Sequence, residues 1–316
     1  MDNLRRLGDK ISINIPPDED GFTGRECPAT ECEAYFKVQF GTGLKGDNVP
    51  CHCPYCGYTR PHDEFWTQEQ IEYAKSQAIR QISDAVRRDF KKLEFDIKPR
   101  GSFGIGLSLK LEDGRPYPIH YFREKRLETI VICDKCTLRY AIYGVFGYCP
   151  DCGVHNSLQI FVKSLELIEK QLKLASSVEN ELSNQLIEDA IENAVSAFDG
   201  FGREICRINA KKCGSPANAR SISFQSIEKA RKRIIGLFSY DIASPVSPDE
   251  WNIVCCCFQK RHLLAHKMGV IDKAYIDATG DKTAISGRRI DIQSAEVEML
   301  ATCLEKIATG LSLKLK

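Results

Sequence analysis

The stretch Cys149-Pro150-Asp151-Cys152-Gly153 decides how the first half of this chain is read, because Cys53-Pro54-Tyr55-Cys56-Gly57 repeats its pattern upstream. A Cys-x2-Cys pair on a tight turn aims two sulfurs at one point. The glycine that follows suits a turn needing positive φ. Each pair has an earlier companion. Cys133 and Cys136 lie 12 residues before Cys149, and Cys27 and Cys32, spaced x4, lie 20 residues before Cys53. Two pairs close a tetrahedral shell of soft ligands, which is what zinc favours. The expectation is therefore Zn2+ at two structural sites, one held by Cys27, Cys32, Cys53 and Cys56 and one by Cys133, Cys136, Cys149 and Cys152. In the first set Cys51 and His52 compete with Cys53 for the inner position. A closed four-thiolate shell leaves no position for water, so no catalytic metal is expected. Binding through thiolates also supplies folding free energy directly.

Working outward, the 316 residues include fifteen cysteines, 43% hydrophobic and 28% charged side chains, and a net charge of +1. That length fits two or three domains, and that charge gives no global field to draw in a polyanion or a membrane surface. Regularly spaced cysteines are more often metal ligands than disulfides in a reducing compartment. The N-terminal residues lack the apolar core of a signal peptide, and no apolar run is long enough to span a bilayer. A cytoplasmic location without membrane partners is expected.

Between the cysteine sets, Ile71, Ala74, Ala78, Ile82, Val86 and Phe90 recur every three or four residues. This spacing predicts a helix over Thr67 to Leu93 with that face buried. Strand-like segments follow at Gly104 to Leu109 and Thr129 to Ile132, punctuated by Pro116 and Pro118. Gly101-Ser102-Phe103-Gly104-Ile105-Gly106 has the glycines of a phosphate loop but no lysine, and it reads as the start of a strand.

After Gly153 the pattern becomes helical. One stripe runs through Leu158, Phe161, Val162, Leu165 and Ile168, and a longer one from Ile187 through Ile191, Ala194, Val195, Phe198 and Ile205 to Ile208. A third carries Ile227, Ala230, Ile234 and Phe238. Ser247-Pro248-Asp249-Glu250 then predicts a capped start: Ser at the cap, Pro at the first helical position, Glu returning a bond to the cap. That helix should run to Lys267, with Gly269 as its stop, and a last helix should begin near Ser294. Cys206, Cys213, Cys255, Cys256, Cys257 and Cys303 read as small core residues. The fold class is α+β: ribbon-type β modules with one helix, then an all-α bundle. The boundaries read as 1–62 for the first ribbon, 63–94 for the helix, 95–156 for a β segment and the second ribbon, 157–174 for a helical linker and 175–316 for the bundle.

The fourth bundle helix ends in Arg261-His262-Leu263-Leu264-Ala265-His266-Lys267-Met268-Gly269-Val270-Ile271-Asp272. A histidine titrates near neutral pH and serves as base or acid, and an arginine offers a rigid fork of donors that matches a phosphate. Equally, Arg and His near a helix C-terminus favour the helix dipole without any further role. His262 and His266 could also bind a metal, although no third ligand stands nearby.

With its flanks, this segment resembles the HEPN domains, helical bundles with an Arg-x4–6-His signature and often a polar residue, here His262, directly after the Arg. Tyr275, Gly280, the turn around Ile290-Asp291-Ile292 and a closing amphipathic helix fit the same pattern, and the resemblance covers about residues 175–316. It implies a metal-independent endoribonuclease that acts on an RNA substrate as a homodimer, in a toxin-like or antiviral role, with Arg261, His266 and His262 at its active site. The ribbon half would then sense a protein or nucleic-acid trigger or choose the target. Asp199, in Asp199-Gly200-Phe201-Gly202-Arg203, lies where such domains often carry a supporting acid, though an i,i+4 pair with Arg203 explains it equally well. Residues five apart on a helix diverge by roughly 140°, so Arg261 and His266 meet only if the last turn distorts, the arginine curls round, or a second subunit completes the site. The rival is a non-catalytic, zinc-dependent binding dimer. Basic clusters at Lys229 to Arg233 and Arg288-Arg289 are candidates for holding an RNA backbone.

Overall fold

A computed structural model describes residues 2–46, 49–98, 107–112, 114–127 and 129–315. The glycine-rich segment 101–106 lies outside the described residues. The chain is mixed α and β, with small antiparallel sheets and a helical C-terminal region. It divides into two compact units, Met1–Val154 and His155–Lys316.

In the first unit the order is α1 (Asp2–Arg6), β1 (Thr23–Glu26), β2 (Tyr35–Val38), β3 (Pro50–His52), β4 (Thr59–Pro61), α2 (Gln68–Lys91), β5 (Phe95–Ile97), β6 (Leu107–Leu109), β7 (Thr129–Ile132) and β8 (Arg139–Ile142). The hairpins β1–β2 and β7–β8 join edge to edge through β2 and β8, with Lys37 opposite Ala141 and Val38 opposite Tyr140. The result is one four-stranded sheet, ordered β1-β2-β8-β7. The two cysteine-bearing hairpins thus share a core built on Phe36, Val38, Phe65, Tyr140 and Ile142.

Helix α2 falls where the apolar spacing predicts it, but its buried face is not the apolar stripe. Ile82 and Phe90 are exposed, whereas Gln70, Ser76, Ala85 and Asp89 are buried. The physical reason is that polar anchors hold this helix. Gln70 Nε2 donates to the Gly24 carbonyl at 3.0 Å and to Glu124 at 2.8 Å. Asp89 accepts from the backbone of Asn3 and Leu4 at 3.0 Å each, and Ser76 accepts from the His120 amide at 3.1 Å. Buried polar groups persist when they are partnered, and these are. Thr67 caps the helix in a reciprocal box with Gln70.

The second unit runs α3 (Ser157–Ala175), α4 (Asn180–Ile208), α5 (Pro216–Arg220), α6 (Ile227–Phe238), α7 (Pro248–Lys267), α8 (Lys273–Thr279) and α9 (Ser294–Leu315). Helix α3, which the sequence suggests as a linker, packs along α4 in the core of this unit. Phe161 stacks on Phe201 at 5.3 Å, and Phe198 meets Phe224 and Phe258 edge-on at 5.6 and 6.4 Å. Gly202 makes room for this cluster, since a Cβ there would lie 2.4 Å from the Phe224 ring. Cys206, Cys257 and Cys303 are buried in the same core, while Cys213, Cys255 and Cys256 are half-buried. No helix among the described residues is long and apolar enough to cross a membrane.

Candidate functional site

The cysteines form two groups. Cys27, Cys32, Cys53 and Cys56 hold their sulfurs within 4.8 Å of one another, as do Cys133, Cys136, Cys149 and Cys152. The closest pairs are Cys27 to Cys56 at 3.7 Å, Cys32 to Cys53 at 3.8 Å, Cys133 to Cys152 at 3.6 Å and Cys136 to Cys149 at 3.4 Å. Metal–sulfur bonds of about 2.3 Å in a tetrahedron place sulfurs about 3.8 Å apart. Both groups therefore fit a structural metal site with four soft ligands. Cys53 is the member of the first group. Cys51 is fully buried outside that group, and His52 Nδ1 lies 2.8 Å from the Thr59 hydroxyl.

Each cysteine pair is built the same way. The residue after the second cysteine has positive φ in all four: Glu33 at 44°, Gly57 at 73°, Thr137 at 63° and Gly153 at 65°. In three of them that residue donates its amide to the carbonyl of the first cysteine: Gly57 to Cys53, Thr137 to Cys133 and Gly153 to Cys149, at 2.8–2.9 Å. The turn points both sulfurs inward and leaves amides free to bond them. Without a cation, burial pushes Cys27 and Cys136 up to about 12 and raises Cys53 and Cys149 as well. For Cys56 and Cys133 burial acts the same way, but donated hydrogen bonds outweigh it and lower both. Four thiolates in one buried cluster need a cation to coexist.

In the second unit α7 starts on its capping box, with the Glu250 amide donating to Ser247 Oγ at 3.2 Å and the Ser247 amide to Glu250 at 2.8 Å. It ends at Met268 and Gly269, with φ of 51° and 77°, where the Gly269 amide donates to the Leu263 carbonyl at 3.0 Å. Trp251, Val254, Cys257, Phe258 and Arg261 face the core. This phase turns His262 and His266 outward, and their ring centroids lie 4.7 Å apart. Arg261 is only 9% exposed, so its stem is covered. It has no hydrogen-bond or ion-pair partner among the described residues, and none of its nitrogens is sealed from solvent. The structure brings Arg261 beside His262 and pairs His262 with His266; no ring contact or hydrogen bond joins Arg261 to His266 among the described residues. Partial burial, then the neighbouring His266, Lys267 and Arg261, push the His262 pKa below its usual value.

Asp199 is buried on α4 and is fully engaged locally. It accepts from Arg203 at 2.8 Å, from the Ser223 hydroxyl at 3.3 Å and from the Phe224 amide at 2.6 Å. These bonds pin the 222–224 segment over Gly202, and they do not link Asp199 to the α7 histidines. Several residues of the basic clusters are likewise engaged. Arg231 forms a two-pronged bond with Asp241 at 2.7 and 2.6 Å, Arg233 donates to the Asn218 carbonyl at 3.1 Å, and Arg289 pairs with Glu188 at 2.7 Å.

Sequence reading passed over Lys260, the buried neighbour of Arg261. Its Nζ reaches both oxygens of Glu296 at 2.7 Å and the Asp291 carbonyl at 3.1 Å, and so locks the end of α7 to α9. Its sequence neighbours do not reveal this, because Glu296 lies 36 residues on, beyond α8. No family model, curated protein or solved structure matches this chain.

Proposed function

We propose that this chain is a metal-independent endoribonuclease of the HEPN type, with Arg261, His262 and His266 as its reacting groups and zinc as the ion of both cysteine sites. One observation carries the reading: two exposed histidines sit side by side next to an arginine whose stem is buried and whose charge has no partner. An unpaired guanidinium on a covered stem suits a phosphate. One histidine takes the proton of the 2′-hydroxyl as that oxygen bonds to phosphorus. The other gives a proton to the departing 5′-oxygen as the P–O bond breaks. The products are a 2′,3′-cyclic phosphate and a 5′-hydroxyl, and no water enters this step. The guanidinium balances the charge on the phosphorane.

A homodimer fits the same surface. Met268 is 85% exposed and Val270 is exposed beside it, next to the histidines, so a two-fold partner there would cover apolar surface and supply a second set of groups. Zinc is favoured by the four-thiolate donor sets and the sulfur spacing. The test is the chemistry of the cut ends. Purified chain incubated with RNA in EDTA should yield 2′,3′-cyclic phosphate and 5′-hydroxyl termini. Termini bearing a 5′-phosphate overturn the reading.

A further inference from the structure

The first unit contains a cavity of about 540 Å³ whose walls include Val38, Phe40, Pro61, His62, Leu138 and Asp151. Pockets that hold small organic ligands fall in this size range, mostly apolar with a few placed polar groups. Three features give it a built character. Phe40 is 54% exposed, yet it is backed by the fully buried Arg25, whose guanidinium carbon lies 4.9 Å from the Phe40 ring centre and 4.0 Å from that of Trp66. The ring is thus fixed from behind and open in front. His62 stands 6.2 Å from it, centroid to centroid, and its Nδ1 is buried without a partner. Asp151 is only 6% exposed; its Oδ2 accepts from the Leu44 amide at 2.9 Å. The other oxygen, Oδ1, has no partner among the described residues and is not sealed off, and Asp151 is part of the cavity wall.

We propose that this cavity binds a guanine base, stacked on Phe40 with its hydrogen-bonding edge on Asp151. A flat aromatic platform beside one carboxylate selects a planar ring with donors at its edge. With four lone-pair sites and one taken by the Leu44 amide, the carboxylate can still accept two parallel donors. Guanine alone among the common bases presents two adjacent donors, N1–H and the 2-amino group. Adenine and cytosine set one donor beside an acceptor, which the carboxylate would repel, and uracil sets its donor between two carbonyls. Asp151 lies inside the Cys149–Cys152 turn, so the turn that forms the second cysteine group also positions this carboxylate. The site shares no residue with the α7 group and does not depend on the role of its histidines.

The test is calorimetric titration of the full-length, metal-loaded chain with 5′-GMP, 5′-IMP and 5′-AMP, and with 2′-O-methyl pentamers UUGUU and UUAUU, which cannot be cut. One site per chain is expected for GMP, for UUGUU, or for both. GMP binding identifies a free nucleotide as the source, and binding of UUGUU alone identifies a base within a chain. IMP, which lacks the 2-amino group, and AMP should bind at least tenfold more weakly than GMP, and UUAUU likewise than UUGUU, a loss of about 1.4 kcal/mol per tenfold step. Asp151→Asn should lose at least tenfold while keeping its metal. Should that variant shed metal, Phe40→Ala decides, because Phe40 is exposed and outside the thiol groups. Absence of binding by both GMP and UUGUU at about 1 mM, a millimolar Kd being the weak end of specific recognition, overturns the proposal. So does equal binding of adenine, or unchanged binding by whichever variant decides.

Discussion

The rings of His262 and His266 stand 4.7 Å apart and 58° from coplanar on the outward face of α7, while Arg261, one residue before His262, turns its stem into the core. Residues four apart share a helix face and residues five apart do not, so the two histidines form the natural pair. The pH dependence follows. His262 has its pKa lowered, so its neutral form persists below the ordinary value of about 6.5. With His262 as the base, the acid limb of the cleavage profile should turn below about pH 6.5. His262→Gln should remove that limb and lower the rate by roughly 10²–10⁴-fold, the usual range for a general base.

Metal removal should separate the two units. Thiolate sites contribute folding free energy only when loaded, and all eight candidate ligands lie in Met1–Val154. Native protein should carry two equivalents of metal. Strong chelation should unfold the cysteine-bearing unit, while the helical unit keeps its far-ultraviolet signal and a cooperative melt. Cys53→Ser should lose one equivalent and Cys51→Ser neither, which metal analysis of the purified variants reads directly.

Gly202 and Asp199 hold one structural device. A methyl group at position 202 would meet the Phe224 ring at 2.4 Å, so Gly202→Ala should cost about 1–3 kcal/mol, the range for overpacking a core. Asp199→Ala leaves the Phe224 amide without its 2.6 Å acceptor and should destabilise by about 1.5–3 kcal/mol, the range for bonds to a charged group. Denaturant melts check both. A variant that lost cleavage while melting like wild type would assign Asp199 a part in catalysis.

Glu204 gives the helical unit an acid-side weakness. Burial opposes its charge, but bonds from Arg207 at 2.7 Å and from His155 at 3.1 Å outweigh burial and hold its pKa at about 2. The folded value lies below the unfolded one of about 4.3. This contribution is present above that pH and is lost as pH falls toward 2. Glu204→Gln should flatten the loss of stability across that window in acid titrations followed by circular dichroism.

Local patterns were readable in the sequence, and long-range partners were not. The spacing of the cysteines locates both thiol groups, and Ser247 with Glu250 marks the start of α7. Glu33 and Thr137 take positive φ without being glycine, so the identity of their turns with those of Gly57 and Gly153 is hidden in the chain. The buried face of α2 is misread because apolar spacing says nothing of Gln70 and Asp89, whose partners lie up to 86 residues away. The joining of β2 to β8 and the bond from Phe224 to Asp199 are likewise non-local. Helix α3 looks like a linker only until Phe161 is seen stacked on Phe201.

The central claim is RNA cleavage by the α7 groups. The most direct measurement is sequencing of RNA ends after expression of wild type beside Arg261→Ala and His266→Ala, with folding and metal content checked on the purified variants. The account predicts new ends with wild type and their loss in both variants, each of which keeps two equivalents of metal and a cooperative melt. Ends that accumulate in either variant at the wild-type level would contradict it.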